Sequence, residues 1–187
     1  MSLPPVTGCL NKKRGDAMKM ILSADKNWAI GRNNSLLIRI SNDMKYFRAL
    51  TEGNIVVMGR KTLESFPGGM PLPKRKNIVL TRQKDYNGRG AVVVHNEREL
   101  WEELSACESD RIFVIGGGSI YKQLLPYCDT AYVTRIDYAY QADTWMTNLD
   151  EEPGWSLVER GEEQTCFDII YYFDVYKNAD PRPFPEY

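Results

Sequence analysis

Histidine is all but missing from this chain: His95 stands alone among 187 residues. The four cysteines, Cys9, Cys107, Cys128 and Cys166, never fall in a C-x-x-C pair. These shortages exclude the common zinc sites, which need closely spaced thiolates and imidazoles. The cysteines are therefore expected to be reduced packing residues of a cytoplasmic protein. No apolar run approaches the roughly 20 residues that cross a bilayer. The basic Lys12-Lys13-Arg14 has no apolar stretch beside it and is no secretory signal. Neither sign of charge is in excess. The net value of −1 argues against nucleic acid or an anionic membrane as partner. No internal repeat is present and no linker divides the chain. What remains is an ordinary globular composition, 43% hydrophobic and 26% charged, and a length that suits one domain with its own core.

The ends differ from the middle. Residues 1–17 carry Pro4, Pro5, Gly8 and Gly15 without any period, and a disordered extension is expected there. A folded domain is expected over 18–177. Residues 178–187 hold three prolines and are expected to be loose. Between the ends, short apolar runs alternate with helical patterns. Met20 to Ser23, Ile55 to Met58, Asn77 to Leu80, Ala91 to Val94, Ile112 to Ile115 and Ala131 to Ile136 read as strands. Trp155 to Glu159 and Asp168 to Tyr176 read as an antiparallel pair. Ser41 or Asn42 is placed to cap a helix through Leu50, and Leu100, Trp101 and Leu104 share one face of a helix over Glu97 to Ala106. Trp28 to Ser35 reads as loop. This order predicts one α/β domain. Its mostly parallel central sheet has about eight strands, an antiparallel C-terminal edge and about four flanking helices.

Ligands of such sheets bind at the carboxyl ends of strands, where the strand order reverses. Three of these strands end in suggestive residues. Ile112 to Ile115 runs into Gly116-Gly117-Gly118 and then a helical pattern. Three adjacent glycines let backbone approach a ligand closely, though a tight turn would also use them. Val57-Met58 ends in Gly59-Arg60-Lys61-Thr62, and Val79-Leu80 in Thr81-Arg82. Each cation alone reads as solvated surface. Together, at adjoining strand ends, they suit a dinucleotide carrying a 2′-phosphate, hence NADP and not NAD. The spacing is not G-x-G-x-x-G, and no acidic residue stands about 20 positions on.

Asp43 is the second focus. It falls in the first turn of its helix, flanked by Ile40, Met44 and Phe47. A first-turn Asp commonly serves the helix dipole. In apolar surroundings, however, a carboxylate needs a polar partner, and burial raises its pKa into a range useful for proton chemistry. Two acceptor oxygens match a 2-amino-4-oxo heterocycle of pterin or guanine type. Arg75, behind Pro71-Leu72-Pro73, reads either as plain surface or as a bidentate clamp for a carboxylate. His95 is read as structural. Trp28, Trp101 and Tyr138 are read as packing residues.

Taken together, Ala29-Ile30-Gly31, Asp43 to Phe47, Val57 to Ser65, Pro71-Leu72-Pro73, Arg75 to Leu80, Ile115 to Gly118 and Asp143-Thr144 resemble the dihydrofolate reductases, over about Met20 to Tyr176. The resemblance implies NADPH-dependent reduction of 7,8-dihydrofolate by hydride transfer to C6, with N5 protonated through water. It implies Asp43 and Thr134 as the catalytic pair, and no metal. It implies a substrate pocket of Ile21, Leu22, Leu36, Met44, Phe47, Leu72, Ile115 and Tyr121, with Arg75 on the α-carboxylate of the glutamate tail. For the cofactor it implies Ser23, Ile30, Gly31, Asn34 and Ser35 on the nicotinamide side. Gly59, Arg60, Lys61, Thr62, Leu80, Thr81 and Arg82 would hold the phosphates and adenosine. Gly116, Gly117, Gly118, Ser119, Ile120 and Gln123 would take the pyrophosphate and nicotinamide side, with Gly116-Gly117 joined by a cis peptide. A monomer is expected.

One departure stands out. The family commonly has Leu-Pro-Trp before the helix, where this chain has Leu36-Leu37-Ile38. Ile38 cannot hydrogen-bond a water near the acid. Two rivals follow: a same-fold aminopyrimidine reductase of riboflavin synthesis, and a non-catalytic NADP-binding module. The first would want ribose-phosphate contacts where Arg75 and Phe47 stand. The second would leave a carboxylate in an apolar setting unexplained.

Overall fold

The structure is a computed structural model that describes residues 17–187. The extension expected over 1–17 therefore lies, but for Ala17, outside the described residues. In chain order the elements are β1 (Met18–Asp25), β2 (Ala29–Gly31), α1 (Ser41–Thr51), β3 (Ile55–Gly59), α2 (Arg60–Ser65), β4 (Lys76–Leu80) and β5 (Val92–Val94). Then follow α3 (Glu97–Ser105), β6 (Ile112–Gly116), α4 (Gly118–Leu124), β7 (Cys128–Ile136), β8 (Thr144–Trp145), β9 (Trp155–Arg160), β10 (Gln164–Cys166) and β11 (Ile169–Asn178). The main sheet runs β10-β11-β7-β1-β6-β3-β4-β5. From β7 to β5 every pairing is parallel. β11 closes it antiparallel to β7. β9 and β10 pair with successive stretches of the outer edge of β11, so the sheet is eight strands wide.

Both faces of the parallel strands are covered, which explains their nearly unbroken apolar sequences. Side chains alternate between two cores. Met18, Met20 and Leu22 of β1, Ile55 and Val57 of β3, and Ile112 and Val114 of β6 face the core that α3 and α4 close with Leu100, Trp101, Leu104, Ile120 and Leu124. Val56, Met58, Val79, Phe113 and Ile115 face the other core, with Leu63 of α2 and with Phe47 and Leu50 of α1. Only Thr51 of α1 is fully buried. The rest of this helix, Phe47 and Leu50 included, is at most half-buried.

Several local expectations are corrected. Ser41 is the first helical residue of α1, its N-cap is Ile40, and no side chain caps it. α3 is capped by Asn96, whose Oδ1 accepts the Glu99 N–H at 2.9 Å. Ala29–Gly31, expected as loop, pairs with β8 as a small second sheet. β10 had no alternation strong enough to mark it. Tyr138 is exposed and touches Tyr140, whereas Trp28 and Trp101 are buried as expected. Residues 179–187, expected to be loose, carry tertiary contacts: the Arg182 N–H donates to the Pro126 carbonyl at 2.7 Å, and Phe184 packs on Trp101.

Candidate active site

The chain leaves β1 at the centre of the sheet, builds outward through β3, β4 and β5, then returns to insert β6 between β1 and β3. That reversal brings the carboxyl ends of β1, β6, β3 and β4 together. A groove of about 450 Å³ opens there. Gly59, Arg60, Lys61 and Thr62 wall one side, and Leu80, Thr81 and Arg82 a second. Gly117, Gly118, Ser119 and Ile120 form the floor, and Asn34 reaches in from the loop after β2. Of the residues tied to a dinucleotide, most meet in this one groove. Gly116-Gly117 is a cis peptide.

The groove is firmly built. Thr81 donates its N–H to Val94 and accepts the Gln83 N–H at its hydroxyl, while the His95 ring nitrogen Nδ1 stands 3.0 Å from its carbonyl. His95 thus holds the turn that carries Arg82. Arg60 is fixed by Glu64 at 2.8 and 2.9 Å, one turn on. A Cβ on Gly118 would meet Thr144 Cγ2 at 2.8 Å, so only glycine fits there. Gln83 and Thr144 also line the groove. Their signals in the sequence were the position directly after Thr81-Arg82 and the Asp143-Thr144 block. Gln123 stands elsewhere. It lies a turn beyond Ser119 and donates to Glu97 of α3 at 3.1 Å.

Beside the groove lies the acid. Asp43 in α1 and Thr134 in β7 are 91 residues apart, and the Thr134 hydroxyl donates to Asp43 Oδ1 at 2.6 Å. Thr134 itself is buried, paired with Ser23 of β1 on one side and Phe173 of β11 on the other. Loss of water raises the Asp43 pKa above its ordinary 3.8, and the Thr134 hydrogen bond offsets part of that rise. The Asp43 charge in turn adds to the burial that pushes the Tyr121 phenol upward. The Tyr121 ring lies against Gly116, and its hydroxyl donates to the Ile21 carbonyl at 2.7 Å. Tyr121 therefore links the acid to the glycine floor.

Apolar side chains frame this acid. Ile115 and Ile21 belong to the core beneath, and Phe47 and Leu72 pack at its margin, half-buried. Met44 and Leu36 are exposed on the rim, and Leu22 is buried on the other face of the sheet. Arg75 is oriented by two bonds, from Nε to the Pro73 carbonyl at 2.9 Å and from Nη1 to Thr51 Oγ1 at 3.0 Å. Ile38 packs on a small cluster of Ile40, Ile136 and Tyr171.

The loop between β2 and α1 is pinned across the groove mouth. Asn34 Nδ2 donates to the Lys61 carbonyl at 3.0 Å. The Asn33 N–H donates to Asp143 Oδ2 at 2.7 Å, and the Asp143 N–H to the Gly31 carbonyl at 3.1 Å. The Asn33 bond, followed by the Thr144 hydroxyl, holds the Asp143 pKa below its ordinary 3.8. Asn33 and Asn34 both adopt left-handed φ, which Asn tolerates best after Gly. Ser35 closes a tight pair of hydrogen bonds with Arg32. Among the described residues no cluster of His, Cys, Asp and Glu could hold a metal, and no helix is long and apolar enough to cross a membrane.

The sequence profile of a family described as dihydrofolate reductase matches residues 17–178. A dihydrofolate reductase of Bacillus subtilis (strain 168) is 38% identical over 165 residues, covering 87% of this chain and 95% of the relative. One from Staphylococcus haemolyticus is 35% identical over 165 residues, covering 86% and 95%. Among solved structures, a dihydrofolate reductase from Enterococcus faecalis complexed with NADP(H) and RAB-propyl superposes with a TM-score of 0.75 at 30% identity. It covers 89% of this chain and 98% of its own. A profile spanning nearly all the described residues, relatives matched almost end to end and a shared fold lead to one conclusion: this chain belongs to the dihydrofolate reductase family.

Proposed function

We propose that this protein reduces 7,8-dihydrofolate to 5,6,7,8-tetrahydrofolate with NADPH. The observation that carries the reading is a carboxylate of raised pKa, held by a buried threonine, beside a cation-lined groove at the sheet's switch point. The donor set fits NADPH. Arg82, Thr81 and Arg60 suit the 2′-phosphate, Lys61 and Thr62 the phosphates, and the glycine floor the nicotinamide end. When bound, NADPH supplies the hydride that C6 of the pterin receives.

The chain's own residues orient and polarise. Asp43 accepts hydrogen bonds from the 2-amino group and N3 of the pterin, and Thr134 holds its free rotation in check. Asp43 lies too far around the ring to protonate N5, so water delivers that proton. Arg75, already aimed by Thr51 and Pro73, grips the α-carboxylate of the glutamate tail bidentately. Phe47, Met44, Leu72 and Ile115 wall the rings and exclude water. Ile30, Gly31, Ser35 and Ser23 take the nicotinamide side, closed by the loop that Asn34 and Asp143 pin. Action as a monomer in the cytoplasm belongs to the same reading, and Cys107, Cys128 and Cys166 are free thiols, as a reducing compartment requires.

The test is loss of nicotinamide absorbance on mixing protein, NADPH and dihydrofolate. Turnover is expected. Folded protein that binds NADPH yet does not consume it would refute the reading.

A further inference from the structure

The helix that carries the acid begins without a capping side chain, and its fully buried residue, Thr51, lies at the far end. The first turn must therefore be held from outside the helix. β11 holds it at two points. Asn42, next to Asp43, donates from Nδ2 to the Tyr171 hydroxyl at 3.3 Å, across 129 residues of chain. Tyr46 stands one turn on, on the same side of the helix, and its ring lies tilted against Phe173 with centroids 4.4 Å apart. Tyr171 and Phe173 are two residues apart on β11 and so share a face of the sheet. Their partners on β7 are Ile136 and Thr134, and Thr134 donates to Asp43. Consecutive residues of α1, Asn42 and Asp43, are thus each held by a hydroxyl from one patch of sheet.

The Tyr171 hydroxyl has a fixed address. The residue is fully buried, and Ile136 of β7 and Gln164 of β10 flank it in the sheet. Its ring clusters with Ile40, the N-cap of α1, and meets the Phe173 ring edge-on. We infer that Tyr171 is a positioning residue for the acid: its hydroxyl, through Asn42, sets the first turn of α1 so that Asp43 meets both Thr134 and the pterin. The inference rests on reading Asp43 as the pterin's partner. Thr134 fixes one oxygen of the carboxylate but not the direction from which the helix brings it. A second bond, one residue earlier, removes that freedom. Positioning of this kind matters because a shift of about 1 Å, made far from the chemistry, can cost about 100-fold in rate.

The experiment removes the hydroxyl and keeps the ring. In Tyr171→Phe, kcat/KM for dihydrofolate should fall by about threefold to tenfold, the span that one neutral hydrogen bond is worth. NADPH binding should not change, since neither Tyr171 nor Asn42 lines the groove. Asn42→Ala should lose as much activity without a lower melting point, because alanine is the better helix former. The double variant should lose no more than either single one, as expected of two groups that act through one bond. In an Asp43→Asn background, Tyr171→Phe should have no further effect on turnover. Unchanged kcat/KM in both single variants would overturn the assignment while leaving the reductase reading intact. So would losses that multiply in the double variant, a fall in NADPH binding equal to the fall in kcat/KM, or a loss that persists in the Asp43→Asn background. Absence of turnover in the unaltered protein would overturn the reductase reading, and this assignment with it.

Discussion

Replacing Asp43 by Asn keeps the side chain's size and removes its charge. Two consequences oppose each other in stability. The Thr134 bond, at 2.6 Å, loses its ionic character. Bonds to charged groups contribute about 1.5–3 kcal/mol and neutral ones about 1, so the loss is about 1 kcal/mol. Against this, the variant no longer withholds a carboxylate from water, and that burial is the largest influence on Asp43. Because its pKa is raised in the fold, the folded protein binds the Asp43 proton more tightly than the unfolded chain does. Stability from this group is therefore full below the ordinary value of 3.8 and falls as pH rises through the higher folded value. At pH 7 the unaltered protein bears the whole penalty and the variant none. The variant should melt no lower than the parent, and each kcal/mol gained is worth about 2–4 °C at this length. The difference should close as pH approaches 3.8. Activity moves the other way. Asn offers one acceptor where the pterin needs two, and turnover should fall by about 10²–10⁴-fold, the span of acid–base contributions. NADPH binding should be nearly unchanged, since Asp43 does not line the groove. Melting by calorimetry across pH, turnover by absorbance and NADPH binding by fluorescence read all three. A melting point several degrees lower at pH 7, or equal losses in NADPH binding and turnover, would refute the reasoning.

Arg75→Lys should raise KM for dihydrofolate by about 10-fold to 100-fold with kcat spared, because a point charge cannot replace a two-pronged grip; steady-state kinetics check this. Arg82→Ala should weaken NADPH by about 10-fold or more and leave NADH unaffected, read as the ratio of the two cofactors' KM values. Asp143→Ala removes the acceptor for Asn33 and should free the loop over the groove, seen as faster NADPH release in stopped flow with the melting point little changed. For the unaltered protein the Asp143 pKa is depressed, so this latch should hold at neutral pH and fail as pH falls through the depressed value, with NADPH release quickening there.

Much of this was legible in the chain. Parallel strands covered on both faces have unmistakable sequences, and Ile55 to Met58 or Ile112 to Ile115 could hardly be anything else. Where sequence reading failed, burial was partial. Ala29–Gly31 and Gln164–Cys166 are three residues each, and their pairing depends on Thr144–Trp145 and Ile169 to Tyr171, far along the chain. Tyr138 looked like core because aromatics usually are, yet a bend just past the end of β7 leaves it exposed. The tail looked loose because prolines deny it regular structure; one aromatic, Phe184, suffices to seat it on Trp101. The residues that the sequence marks at strand ends line one groove. Gln123, named through the family resemblance alone, bonds to Glu97 and does not line the groove. The Thr134–Asp43 bond spans 91 residues, and nothing local in the chain foretells it.

The isoleucine at position 38 has an optical consequence. With isoleucine there, position 38 contributes no indole. The four tryptophans are Trp28, Trp101, Trp145 and Trp155. Trp28 is buried beneath the Arg135 guanidinium, and Trp101 packs against Tyr127 and Phe184. Trp145 is 55% exposed and directly follows Thr144 of the groove wall. Of the four, Trp145 is the one next in sequence to a residue of the groove lining, so its emission should respond most to what fills the groove. Quenching by dihydropyridine should report cofactor occupancy almost in isolation, and the pterin should arrive nearly unseen.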